Sequence, residues 1–172
     1  MVKKLSLILS ILILLSFYGL SQKNLGCYKI VDTTVVIIPS KIKIVDTPKV
    51  SKIDSFICFW EGKPYKYGGL TQKGIDCSGF TQKIFNDVFS INIPRTAYEQ
   101  YKKAIKIPLE NLQKGDLIFF ISKFSPSGWH VAYYLGDNKI FHAANKHVGI
   151  VIEELKKETI NRIYAIGRYI NN

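Results

Sequence analysis

The stretch Gly74-Ile-Asp-Cys-Ser-Gly-Phe80 sets a cysteine at the point where a glycine-bearing loop turns into a helix. From Phe80 to Phe89 the apolar residues fall at 80, 84, 85, 88 and 89, the spacing of a helix face laid on a core. Cys77 therefore belongs to the first turn of that helix, among unpaired backbone N–H groups at the positive end of the dipole. Such a setting favours thiolate over thiol, and the thiolate is the nucleophile. A lone cysteine is more often a small buried hydrophobe, and the histidines decide between the two readings. The chain has three, and two of them, His130 and His142, sit where they can serve the thiol.

His130 opens His-Val-Ala-Tyr-Tyr-Leu-Gly, a strand by its aromatic and β-branched content. His142 lies in Lys139-Ile-Phe-His-Ala-Ala, a second strand after the turn Gly136-Asp-Asn138. Strands joined by such a turn form a hairpin, and the even spacing left when the turn is removed puts both imidazoles on one face. Cysteine catalysis needs a base beside the sulfur and a third polar group that holds the base in the right tautomer. Cys77, His130 and His142 provide those parts in that order. The same side chains are acceptable zinc ligands, but zinc sites usually draw two ligands from one tight motif and the chain has none. No metal is expected.

These residues lie in a longer pattern: Pro64-Tyr-Lys-Tyr-Gly-Gly, Gly74-Ile-Asp-Cys-Ser-Gly-Phe, Ile93-Pro-Arg-Thr-Ala-Tyr-Glu-Gln, Leu112-Gln-Lys-Gly-Asp-Leu-Ile-Phe-Phe, His130-Val-Ala-Tyr-Tyr-Leu-Gly and Phe141-His-Ala. In that order and at those spacings, over roughly Ile53 to Arg168, the chain resembles the NlpC family of cell-wall cysteine peptidases. The resemblance implies a papain-like α+β fold, no cofactor, and cleavage of peptidoglycan stem peptides, typically between D-glutamate and the diamino acid that follows. It gives Cys77 the nucleophile's role, His130 the base's and His142 the orienting role. Tyr65 would donate to the oxyanion, a contribution commonly about 10² or more in rate, beside the Cys77 N–H. Asp76 and Ser78 match positions that contact the free amine of the stem peptide. Asp76 fits equally the N-cap of the Cys77 helix. Arg95 suits either a substrate carboxylate or a structural pair with Asp87 or Glu99. Two departures stand out. Ala132 replaces a usual glycine and Tyr133 a smaller residue, which predicts a narrower groove. Phe124-Ser-Pro-Ser-Gly-Trp129, just before the base, either covers part of the cleft or is packed down by its aromatic ends.

Lys3 and Lys4, the apolar run from Leu5 and the small residues at 19 and 21 read as a signal peptide over residues 1–21. The run is slightly short for a membrane span. Leu25-Gly-Cys27 faintly resembles a lipoprotein signal, the lesser reading because Asn24 replaces an apolar residue. Residues 22–52 then form an extension or tether, and 53–172 the catalytic domain, a monomer with one core. The formal net charge of +11, or +9 without Lys3 and Lys4, suits an anionic wall. No aromatic-basic nucleic-acid motif accompanies it. Periplasm or cell envelope is the expected location. With three cysteines, Cys77 is expected free and Cys58 a buried thiol, against a Cys27–Cys58 disulfide.

The rest reads as one α+β unit. A helix over Ser51 to Trp60 presents Ile53, Phe56, Ile57 and Trp60 on one face and ends at Gly62. After the Cys77 helix comes a short one around Thr96 to Lys103. An antiparallel meander of about five strands follows: Asp116 to Ser122, His130 to Leu135, Lys139 to Ala143, Gly149 to Leu155 and Ala165 to Ile170.

Overall fold

A computed structural model of the chain describes residues 51–170; the expected signal peptide, Cys27 and nearly all of the expected tether lie outside them. Ser51 caps the first helix, α1 (Lys52–Trp60), by accepting from the Asp54 N–H. Ile53, Phe56 and Trp60 are its buried stripe. Two short strands, β1 (Leu70–Thr71) and β2 (Gly74–Ile75), form a small hairpin that leads into α2 (Cys77–Phe89). Thr96 caps α3 (Ala97–Lys103). The strands β3 (Ile105–Ile107), β4 (Leu117–Ile121), β5 (Trp129–Gly136), β6 (Lys139–Asn145), β7 (Gly149–Glu154) and β8 (Ile163–Arg168) follow, with a short helix α4 (Lys157–Ile160) before β8.

These last six strands join one sheet in the order β3-β8-β4-β5-β6-β7, antiparallel throughout. The α+β class is as the sequence implies. The sheet has one strand more than expected, because the exposed Ile105-Lys-Ile segment pairs with β8 at the edge. It is also not a plain meander: β4 to β7 run in order, but β8 returns to the far side of β4. Asp116 explains that return. Its buried carboxylate takes the Arg168 Nε–H and Nη2–H at 2.7 and 2.8 Å and the Gln113 N–H at 2.8 Å.

Strand alternation divides the core. Leu117, Phe119, Val131, Tyr133, Phe141 and Ala143 face the helices, where Phe80 of α2 meets Phe141 edge-on at 4.8 Å. Ile118, Phe120, Ala132, Tyr134 and Ile140 line the opposite face. Tyr133 is fully buried against Phe85 and Phe89, and Ala132 is fully buried in the second cluster. These two departures from the family pattern therefore fill the core and do not narrow a groove. Cys58 also differs from expectation: it is exposed and disulfide-bonded. The spacing 53, 56, 57, 60 makes the apolar stripe, and position 58 falls beside it.

Candidate active site

Cys77 is placed by a loop that pairs with the strand leading into it. Tyr65 bridges Ile75, the Lys66 N–H donates to the Ile75 carbonyl at 3.1 Å, and the Ile75 N–H to the Pro64 carbonyl at 3.2 Å. This brings Tyr65 alongside the residues before the thiol. The loop closes tightly at Gly69, where a Cβ would lie 2.2 Å from the Gly74 carbonyl oxygen. Only glycine fits there, which gives the Tyr-Gly-Gly motif its physical reason.

Asp76 ends the loop and caps α2. Its Oδ1 accepts from the Gly79 N–H at 2.7 Å and from the Ser78 hydroxyl at 3.3 Å. Its Oδ2 accepts from the Gly68 N–H at 2.8 Å. Arg95 adds a fork, Nη1 to Oδ1 at 2.9 Å and Nη2 to Oδ2 at 2.7 Å, and also reaches the Ser78 hydroxyl at 3.1 Å. The N-cap role expected of Asp76 is present. Arg95 pairs with Asp76, whereas Asp87 takes Lys83 and Glu99 takes the Thr96 hydroxyl. Sequence reasoning missed Gln100, fully buried on α3, whose amide donates to the Ser78 and Pro94 carbonyls at 2.9 and 2.8 Å. The Thr81 hydroxyl donates to its carbonyl oxygen at 2.9 Å. The first turn of α2 is thus tied to α3 from inside.

Among the described residues Cys77 is the free cysteine, and it is buried. Burial pushes it up to about 11, helped by the Asp76 charge, while backbone N–H groups, that of Val131 foremost, pull the other way. The Val131 contact joins α2 to β5 one residue beyond His130. The type I′ geometry of Asp137 and Asn138, both at positive φ, turns β5 into β6. The ladder between those strands runs from Gly136–Lys139 to Tyr133–Phe141; beyond it the Val131 amide serves the thiol. His130 Nε2 lies 2.8 Å from His142 Nδ1, so the hairpin does bring the two imidazoles together. Burial first, and then the neighbouring His142, depress His130 to about 3. Thiol and imidazole are therefore both uncharged at neutral pH, in contrast to the thiolate that the helix dipole suggests.

The imidazoles line a cleft of about 1070 Å³ with Tyr65, Tyr67, Phe120 and the Phe124–Pro126 turn. Phe124 is 95% exposed at its mouth, whereas Trp129 stacks on Tyr101 at 5.1 Å and anchors the connection. Each aromatic end thus follows a different one of the two readings. Tyr65 is pushed up to about 12 by burial, then by Cys77 and Asp76, so its hydroxyl keeps its proton. The third histidine, His147, and Glu153 also line the cleft. Glu153 escaped the sequence reading, although its place is set by strand pairing. His142 opposes Val151, and Glu153 is two residues further along the same face of β7.

Comparison with known proteins assigns the fold. The NlpC/P60 family model matches residues 62–168. The chain belongs to the NlpC/P60 family. Murein DD-endopeptidase MepS/Murein LD-carboxypeptidase of Escherichia coli is 36% identical over 111 residues, 64% of this chain and 57% of that protein. Gamma-D-glutamyl-L-lysine dipeptidyl-peptidase of Bacillus cereus is 36% identical over 125 residues, 72% of this chain and 37% of that protein. A crystal structure of an NlpC/P60 family protein from Bacillus cereus superposes with a TM-score of 0.62 at 32% identity, covering 73% of this chain and 42% of that one. The chain spans little more than half the length of the first curated relatives it matches. Among NlpC/P60 members, then, this one has its Cys77 loop, its histidine hairpin and its cleft within residues 62–168.

Proposed function

We propose that this protein is an exported cysteine endopeptidase that hydrolyses amide bonds of peptidoglycan stem peptides through an acyl-enzyme on Cys77. The observation that carries the reading is the 2.8 Å contact of His130 Nε2 with His142 Nδ1, on the strand whose next amide serves the Cys77 thiol. That contact occupies Nε2 and leaves Nδ1 of His130 for the thiol proton.

Because both groups rest uncharged, the proton moves as the sulfur attacks. The Sγ–C bond forms, the carbonyl π pair moves onto oxygen, and His130 takes the thiol proton. The Tyr65 hydroxyl and the Cys77 N–H stabilise the oxyanion. The C–N bond then breaks, and His130 gives its proton to the leaving amine. Water attacks the thioester with His130 again as base, the Sγ–C bond breaks to release the carboxylic acid, and the proton from His130 restores the thiol. No cofactor enters the sequence. Asp76, Ser78 and Arg95 act here by holding the loop: the Asp76 oxygens already have five donors, which leaves little capacity for a substrate ammonium. The bond between D-glutamate and the diamino acid is the assigned target, in keeping with the name of the Bacillus cereus relative. The expected signal at residues 1–21 would deliver the enzyme to the envelope.

The test is digestion of purified peptidoglycan and of soluble stem peptides, with products identified by mass spectrometry and Cys77→Ala as control. A new amine on the diamino acid, absent with the variant, is the expected result. A cut between two D-residues would instead match the DD-endopeptidase in the name of the Escherichia coli relative. Cleavage retained by Cys77→Ala would remove the nucleophile assignment.

A further inference from the structure

The contact between His130 Nε2 and His142 Nδ1 has two possible polarities when each ring carries one proton. In the first, His130 donates from Nε2, its Nδ1 is a bare acceptor, and His142 holds its proton on Nε2. In the second, His142 donates from Nδ1, and the proton of His130 sits on Nδ1, where it blocks abstraction from the thiol. Only the first gives a base. The contact alone does not choose between them.

The choice falls to what His142 Nε2 meets. That nitrogen is buried and makes no aligned hydrogen bond, but Glu153 Oε2 lies 3.3 Å from it. An ionised carboxylate accepts and cannot donate. It attracts an Nε2–H and repels an Nε2 lone pair, so it favours the first polarity. The contact with His142 holds the Glu153 carboxyl below its ordinary range despite partial burial. The other charges facing the pair, Arg162 and Lys156, are cations and cannot accept that proton. Loose alignment of such a bond is common in enzymes without substrate.

We infer that Glu153 is a positioning residue: through His142 it fixes the Nε2–H tautomer of His130, extending the line of groups behind Cys77 from β5 and β6 to β7. The inference rests on the peptidase reading for its kinetic consequence and on geometry alone for the tautomer.

The two are tested separately. Nitrogen-15 NMR of histidine-labelled protein reports which ring nitrogens carry protons. The wild type is expected to hold Nε2–H on both rings, Glu153→Gln to keep that state through its amide carbonyl, and Glu153→Ala to shift protons towards Nδ1. In stem-peptide hydrolysis Glu153→Ala is expected to lower kcat roughly 10- to 100-fold, part of the effect of a positioned base, with KM little changed. Glu153→Gln should recover most of the loss. Unchanged tautomers in Glu153→Ala overturn the inference, whether kcat holds or falls, because a fall would then be structural. If the wild type cleaves no stem peptide, the peptidase reading fails while the NMR result still decides the tautomer.

Discussion

In the proposed peptidase a thiol and an imidazole that are both neutral at rest exchange their proton during attack, so the balance of forces on Cys77 sets how that reaction would begin. The helix dipole is worth about 0.3–1 kcal/mol at a terminus, less than one pKa unit. Full burial moves a group by up to roughly 3–5 units. Burial wins, and Cys77 stands near 11 instead of its ordinary 9.0. The fold therefore favours the protonated thiol, and that contribution to stability is present below the ordinary value and lost as pH rises through about 11. Alkylation of Cys77 by iodoacetamide, followed against pH without substrate, should climb through the alkaline range towards that value. A rate already level near neutrality would mean a resting thiolate–imidazolium pair instead.

The elements work by fixing one another's ends. The Asp76 carboxylate joins the 64–76 loop to α2, and Arg95 ties both to the segment before α3. Asp76 keeps 7% of its side chain in solvent and Arg95 31%, so removing the arginine strands a nearly buried charge. Arg95→Ala should destabilise the protein by roughly 3 kcal/mol, the low end for such a pair because Arg95 is partly solvated. Arg95→Lys should recover only part of that, since a point charge cannot make the fork. Urea denaturation of the three proteins checks the order. Equal midpoints would show that the N-cap and the Gly68 N–H suffice for Asp76.

At the scale of the whole described fold, the sheet carries both imidazoles to the cleft, where burial holds His130 below its ordinary range, and this has a pH signature. His130 titrates near 3 in the fold against an ordinary 6.5, so protonation is resisted by the native state. The contribution to stability is fully present above the ordinary value and is lost as pH falls from there towards about 3. Thermal unfolding should show a Tm that drops through this window in the wild type and drops less in His130→Asn. Parallel slopes for the two proteins would assign the acid sensitivity to other groups.

The sequence by itself determined the local setting of Cys77, because local rules suffice there: a cap, a helical stripe and a glycine loop are written within a few residues. It also determined the histidine hairpin, since a period of two with the turn Gly136-Asp-Asn138 taken out gives both imidazoles one face, and the register shift between Tyr134 and Gly136 keeps that parity. Tertiary structure alone decided what depends on distant partners. The edge strand Ile105–Ile107 exists because β8 arrives beside it, Arg95 chooses Asp76 because α3's lead-in passes the loop, and Tyr133 is core because α2 covers it. Glu153 belongs to this class, placed behind His142 by a ladder between β6 and β7. The charge state of Cys77 is another case. Its helix position is local and readable, but burial is a sum over the whole fold, and here burial outweighs the dipole.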